Sequence, residues 1–170
     1  QTCALPISDV TMMIYNKELF KEAGLDPEKP PTTFAEFLDA AAKIDQLPAR
    51  ADGAKVHGTL FWNDALSWGG WYWNMLQPMY LNVNQNSCQL LNKLGTDVTF
   101  DQPSCKMAEF FDFNQQAQKF SPPTMEKNFF SRTIGMWAQY GYSWEPNLKE
   151  AAGTPMVIGE DVGVAPVPVM

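Results

Sequence analysis

Apolar positions along this chain change period repeatedly, from continuous or every-second spacing to the three-and-four spacing of a helix. Thr11 to Tyr15 is a short apolar, β-leaning run that fits a buried strand. Asn16 can cap a helix over Lys17 to Ala23, which Gly24 ends in the left-handed position. Leu25 to Pro31 is a turn-rich connection, after which Thr33 and Glu36 form a T-x-x-E capping box. The helix that follows sets Phe34, Phe37, Leu38, Ala41 and Ile44 on one stripe. Val56 to Trp62 reads as a second strand, and Asp64 to Met75 as an aromatic-rich helix interrupted by Gly69-Gly70. Asn82 to Asn92 is polar and irregular. Asp97 to Phe100 reads as a short strand, and Pro103-Ser104 opens an amphipathic helix with the stripe Met107, Phe110, Phe111, Asn114 and Ala117. After the break at Pro122-Pro123, the pattern predicts a helix over Met125 to Arg132 and a strand over Ile134 to Tyr140. Pro146 suits the first position of one more short helix, and Gly163 to Val169 is extended. Strands alternating with helices predict the α/β class.

Composition narrows the function classes. The 170 residues are 45% hydrophobic and 18% charged, which fits a packed fold rather than a disordered chain. A net charge of −7 leaves no basic face of the kind a nucleic-acid binder shows, so no nucleic acid is expected as a partner. The longest mostly apolar stretch, Ala65 to Leu76, is broken by Ser67, Gly69, Gly70 and Asn74. It falls short of the roughly 20 residues of a membrane-crossing helix, so no span is expected in this piece. There is no P-loop and no G-x-G-x-x-G, and a single His57 with widely spaced cysteines offers no metal-ligand pattern. No cofactor and no metal are expected. Cys88 and Cys105 fit either a disulfide, worth about 3 kcal/mol by loop closure, or two buried free thiols. Both ends read as truncated, and residues 1–7 can be back-translated into the end of a common sequencing-library adapter. That stretch is expected to be adapter read-through or the remnant of a native strand.

The aromatics carry the candidate chemistry. Six Trp, five Tyr and eleven Phe cluster in part as Phe61-Trp62, Trp68, Trp71-Tyr72-Trp73 and Tyr142 with Trp144. A flat ring can cover the apolar face of a pyranose while Asp, Asn and Gln bind its hydroxyls. Trp62 beside Asn63-Asp64 supplies both kinds of group at one strand end, where ligands of α/β sheets favour binding. Trp68 and Trp71 are three apart and can share a helix face, which serves a core as readily as a ligand. An enzyme is the rival class. Gly141-Tyr142-Ser143-Trp144-Glu145 resembles a G-x-S-x-G elbow with Glu in place of the second Gly, and His57 would have to be its base. A carboxylate pair such as Asp64 with Glu160 would suit glycoside hydrolysis, though nothing singles it out.

Three segments carry a family likeness. The first runs Ile14-Tyr15-Asn16-Lys17-Glu18-Leu19-Phe20, then Glu22-Ala23-Gly24-Leu25, then Pro30-Pro31-Thr32-Thr33-Phe34-Ala35-Glu36-Phe37. The second pairs Val98-Thr99-Phe100 with Met107-Ala108-Glu109-Phe110-Phe111, and the third spans Phe129 to Trp144 with Gly135-Met136 and Gly141. In order and separation they resemble the sugar-type extracellular solute-binding proteins of ABC importers. Two departures are plain: Phe34 stands where Trp is commoner, and Trp144 lies one residue later than the pattern. Val162 to Pro168 is similar to the family's crossing strand.

The resemblance implies a periplasmic-binding-protein-like α/β fold, a type II clamshell of which this chain holds one lobe, truncated at both ends. Residues 8–163 would form the incomplete second lobe and residues 164–170 the crossing strand towards the first lobe; residues 1–7 would be a hinge-strand remnant if native. It implies a non-enzymatic protein, periplasmic or lipid-anchored on the outer face of the cytoplasmic membrane. Such a protein captures a sugar or oligosaccharide and delivers it to ABC permease transmembrane subunits. Asp9 falls where family members often carry an acidic residue by the cleft. The expected ligand-binding set is Asp9, Trp62, Asn63, Asp64, Trp68, Trp71, Tyr142 and Trp144. Few Lys or Arg lie near these aromatics, which weighs against anionic ligands such as glycerol phosphate esters. The alternative is a carbohydrate-active hydrolase or another sugar-binding module.

Overall fold

The computed structural model describes residues 11–60, 91, 94–99, 101–123, 129–140, 148–149, 151, 153 and 155–169. Strand β1 (Thr11–Asn16) runs through the middle of a mixed sheet. It pairs antiparallel with β3 (Ile134–Tyr140) on one side and with β4 (Val162–Ala165) on the other. Strand β2 (His57–Thr59) adds parallel to β3, giving the order β2-β3-β1-β4 among the described residues.

Both faces of β1 are covered, which is why its sequence is a continuous apolar run rather than an alternating one. Met13 and Tyr15, with their β3 partners Ala138 and Met136, belong to a core shared with three helices. These are α1 (Lys17–Glu22), α2 (Phe34–Asp45) and α3 (Met107–Gln118). Ile14 and its partner Trp137 join a second core with Leu60, Phe129, Phe130 and Met156.

The local signals for the first two helices act as the sequence predicts. Asn16 Oδ1 accepts from the Glu18 and Leu19 backbone N–H groups at 3.0 and 3.2 Å, and Gly24 ends the turn at φ +71°. Helix α1 itself closes at Glu22, one residue short of the expected end. Thr33 and Glu36 form the reciprocal capping box of α2. The Glu36 carboxylate also accepts from the Thr32 backbone N–H and hydroxyl, both at 2.8 Å. Led by the Thr32 backbone N–H, these bonds hold the Glu36 carboxyl below its ordinary range. Helix α2 lies directly on β2: a Cβ added at Gly58 would come within 2.1 Å of the Ala41 carbonyl oxygen.

Several expectations need correction. Pro103 opens a single 3-10 turn to Cys105; Lys106 then takes φ +51°, and α3 begins at Met107. Within α3 the buried stripe is Phe110, Phe113, Asn114 and Ala117, while Phe111 is 49% exposed. Both stripes keep the i, i+3, i+4, i+7 spacing, the expected one counted from Met107 and the observed one from Phe110. Phe34 decides between them by stacking on Phe113, with centroids 3.8 Å apart and planes 8° from parallel. On α2, Leu38 is only partly buried and Ala40 joins the core. In place of a strand at Asp97 to Phe100 there is an isolated Leu91–Val98 bridge, with Phe100 outside the described residues. Of the expected helix at Met125 to Arg132, the described part is a 3-10 turn over Phe129–Ser131. The second strand is shorter than read, and the extended tail is β4 followed by a Thr33–Val169 bridge. The expected helix over Asp64 to Met75, and the irregular stretch Asn82 to Asn92 apart from Leu91, lie outside the described residues; of the short helix expected after Pro146, Leu148 and Lys149 are described, in a 3-10 turn.

Cys105 is fully buried and disulfide-bonded, with its partner outside the described residues. The expected pairing with Cys88 falls there too. Among the described residues, no helix is long and apolar enough to cross a membrane.

Candidate functional site

Asp9, Trp62, Asn63, Asp64, Trp68, Trp71, Tyr142 and Trp144 all lie outside the described residues. The strands that lead to them are described, and their ends are informative. Thr11, where β1 starts, is paired with Tyr140, where β3 finishes. Strand β2 runs parallel to β3, so its exit faces the same way. Leu60 closes that exit by donating its N–H to the Met136 carbonyl at 2.9 Å, and the Thr59 hydroxyl donates to the same oxygen at 3.1 Å. The sheet thus sends three chain ends out in one direction. Asp9 precedes Thr11 by two residues, Tyr142 follows Tyr140 by two and Trp62 follows Leu60 by two.

The same register separates the groups an enzyme would need. His57 begins β2 opposite Ile134, at the far end of β3 from Tyr140. Six strand steps of about 3.3 Å put roughly 20 Å between those ends. Ser143, three residues beyond Tyr140 in sequence, lies outside the described residues. His57 instead lies beside α2, with Nδ1 3.6 Å from Asp45 Oδ1. Glu160 precedes Val162, which pairs with Asn16 at the opposite end of β1 from Thr11. It is therefore not placed to work with the segment leaving Leu60.

Other polar features on the described surface are committed to structure. A cavity of about 390 Å³ between α1 and α2 is lined by Phe20, Pro31, Asp26, Glu36 and Asp39 among others. Its carboxylates are engaged: Glu36 in the capping box, Asp39 with Lys43 at 2.7 Å, and Asp26 with the Glu28 N–H at 2.9 Å. Lys17, nearly buried, donates to Glu28 Oε1 at 2.8 Å and to the Gly159 carbonyl at 2.7 Å, tying two loops together. The Glu28 bond holds its ammonium above the ordinary lysine value. No group of His, Cys, Asp and Glu among the described residues is arranged to hold a metal ion.

One polar group in the middle of β3 was not singled out from sequence. Trp137 is 7% exposed, crosses from Ile14 and meets Phe130 edge-on at 6.0 Å. Its Nε1–H is buried and has no acceptor among the described residues. The sequence signal that hid it is the apolar run of β3, in which a tryptophan reads as filler.

Comparison with known proteins follows from this fold. A family model described as bacterial extracellular solute-binding protein matches residues 2–170. A curated relative, the sn-glycerol-3-phosphate-binding periplasmic protein UgpB of Escherichia coli, is 41% identical over 64 residues. Those residues are 38% of this chain and 12% of that protein's length. Among solved structures, the cyclic alpha-maltosyl-1,6-maltose binding protein from Arthrobacter globiformis is similar with a TM-score of 0.65 at 26% identity. The likeness covers 94% of this chain and 37% of that one. An ABC transporter solute binding protein from Thermotoga lettingae, bound with alpha-D-tagatose, gives a TM-score of 0.62 at 24% identity over 94% of this chain and 39% of its own.

Proposed function

The chain belongs to the bacterial extracellular solute-binding protein family, a non-enzymatic family, and on that premise we propose that it captures a sugar or oligosaccharide for an ABC importer. In this reading residues 8–163 are most of the second lobe of a clamshell, and residues 164–170 lead towards the first lobe. The protein works in the periplasm or anchored by lipid on the outer face of the cytoplasmic membrane, and hands its ligand to the permease's transmembrane subunits. Asp9, Trp62, Asn63, Asp64, Tyr142 and Trp144 form this lobe's side of the site, with Trp68 and Trp71 further along it.

The observation that carries the proposal is that the start of β1 and the exits of β2 and β3 face one direction, with Thr11 paired to Tyr140 and Leu60 bonded to Met136. In this reading an acidic residue, a Trp-Asn-Asp run and a Tyr-x-Trp run, each following or preceding one of those strand ends in sequence, share one end of the sheet. Aromatic faces and carboxylate or amide groups in one place are what a pyranose requires. A second reading, a glycerol phosphate ester, is favoured by the 41% identity to the sn-glycerol-3-phosphate-binding relative.

Calorimetry with maltose, trehalose, cellobiose, monosaccharides and sn-glycerol 3-phosphate tests both. If two lobes shared a micromolar site's roughly 8 kcal/mol equally, one lobe would keep about 4, a millimolar constant. The expected result is micromolar sugar binding by a protein carrying both lobes, and at best millimolar binding by the 170-residue chain. Micromolar binding by that chain alone would overturn the two-lobed reading. Tight binding of sn-glycerol 3-phosphate with no sugar binding would replace the first ligand class by the second.

A further inference from the structure

Helix α2 runs back along β2. Its last residue, Asp45, stands 3.6 Å from His57 at the start of that strand, and Ala41, a turn earlier, lies against Gly58. The first turn of α2 is therefore carried to the end of the sheet where β2 exits. The segment after β4 places it there independently. Strand β4 runs from beside Asn16 to beside Met13, in the direction of Thr11. Beyond it, Val169 donates to the Thr32 carbonyl at 2.9 Å and accepts from the Phe34 N–H at 2.8 Å. Helix α3 finishes at that end too, where the Phe120 carbonyl accepts from the Thr59 N–H at 3.1 Å.

Between the first turns of α2 and the facing side of α3 lies an open groove of about 350 Å³. Its floor is apolar: the stacked Phe34 and Phe113, with half-buried Leu38 and exposed Ala35. Among the described residues, the charged groups lining it are Glu109 and Asp112, both exposed on α3 and nearly one turn apart. An apolar slot rimmed by two carboxylates complements an apolar side chain flanked by Arg or Lys. It suits neither solute class considered above. Phe34 and Phe113 are nearly buried and stack on one another, which leaves little ring face for a pyranose, and the carboxylates repel a phosphate ester.

We propose that this groove docks the lobe on its ABC permease, and that its occupant is an extracytoplasmic permease segment presenting an apolar side chain beside Arg or Lys. The proposal rests on the solute-binding reading above and deepens it, by naming a surface through which the solute is delivered. A permease must meet the lobe at the end from which the solute leaves, and the groove lies at that end. The apolar anchor supplies contact area, while the carboxylates set register and speed the encounter.

The test uses a protein carrying both lobes, its own permease and ATPase subunits in proteoliposomes, and whichever of maltose, trehalose or sn-glycerol 3-phosphate binds it in calorimetry. Glu109→Lys combined with Asp112→Lys reverses the rim at two exposed positions, and Ala35→Trp fills the slot from a third. Each variant is expected to raise the concentration of binding protein that half-saturates ATP hydrolysis by about tenfold. Solute affinity should stay within about twofold of wild type, since the groove holds no solute. Added salt should weaken the coupling of the wild type and not that of the reversed variant. Half-saturation unchanged in either variant, with solute still bound, overturns the docking proposal and leaves the solute-binding reading intact. A larger fall in solute affinity would assign the groove to the solute or to closure against the first lobe, and overturns it as well. Binding of none of the three solutes by the wild type would sink the solute-binding reading, and this proposal with it.

Discussion

The ring of Tyr15 lies on Gly163, its partner across the β1–β4 pair: a Cβ built on Gly163 would fall 1.9 Å from Tyr15 Cζ. The same ring is held at its far end, where the phenol donates to the Pro27 carbonyl at 2.9 Å. Glycine at 163 is thus what lets one side chain join the edge strand to the loop after α1. Gly163→Ala should displace the ring, lose the Pro27 bond and destabilise the fold by about 1–3 kcal/mol. Tyr15→Phe should cost only about 1 kcal/mol. Urea denaturation of both variants checks the order; an alanine variant as stable as wild type would show that the ring has room to move.

Gly58→Ala should cost more than Gly163→Ala. Its new methyl meets the Ala41 carbonyl oxygen at 2.1 Å, and backbone cannot swing aside as a ring can. Helix α2 would have to lift off β2, so a loss at or above the upper end of the roughly 1–3 kcal/mol overpacking range is expected. The urea midpoint again measures it, and a smaller loss than at Gly163 would contradict the argument.

Two neighbouring phenylalanines should respond very differently to truncation. Phe113 is 3% exposed and stacked on Phe34, so Phe113→Ala should lose about 3–5 kcal/mol. Phe111 is 49% exposed, and Phe111→Ala should stay within about 0.5 kcal/mol. Thermal or chemical denaturation of the pair decides; equal losses would restore the stripe read from sequence.

Acid should remove the contribution of Glu36. Its carboxyl is held below its ordinary value of 4.5, first by the Thr32 backbone N–H, then by the Thr32 hydroxyl and Thr33 backbone N–H. A depressed folded value means stability that is present above the unfolded value and lost as pH falls through the folded one. The Tm gap between wild type and Glu36→Gln should be steady near neutral pH and close below pH 4.5. A gap that persists undiminished into stronger acid would show that the charge is not what the cap uses.

Lys17 gives the opposite sign. The Glu28 hydrogen bond raises its ammonium above 10.5, so the stability it adds is whole below that pH and is lost as pH climbs through the higher folded value. Lys17→Met keeps the buried stem and drops the bonds to Glu28 and the Gly159 carbonyl. The Tm difference should hold to pH 10.5 and shrink beyond it. A difference that shrinks already at neutral pH would refute the raised value.

The sequence by itself determined the parts that are local. Asn16 and the Thr33–Glu36 pair cap their helices by bonds reaching only two to four residues, and Gly24 takes the left-handed turn that a residue without Cβ adopts readily. The apolar run of β1 and the motif order likewise needed no contacts to be read, and they already pointed to the family. Tertiary structure decided what local spacing leaves degenerate. Two stripes fit α3 equally well, and Phe34 and Phe37, far away in sequence, select Phe113 over Phe111. Strand register, not sequence, set His57 opposite Ile134, at the far end of β3 from Tyr140. Periodicity records which face a residue occupies; which neighbour waits on that face is a property of the packed chain.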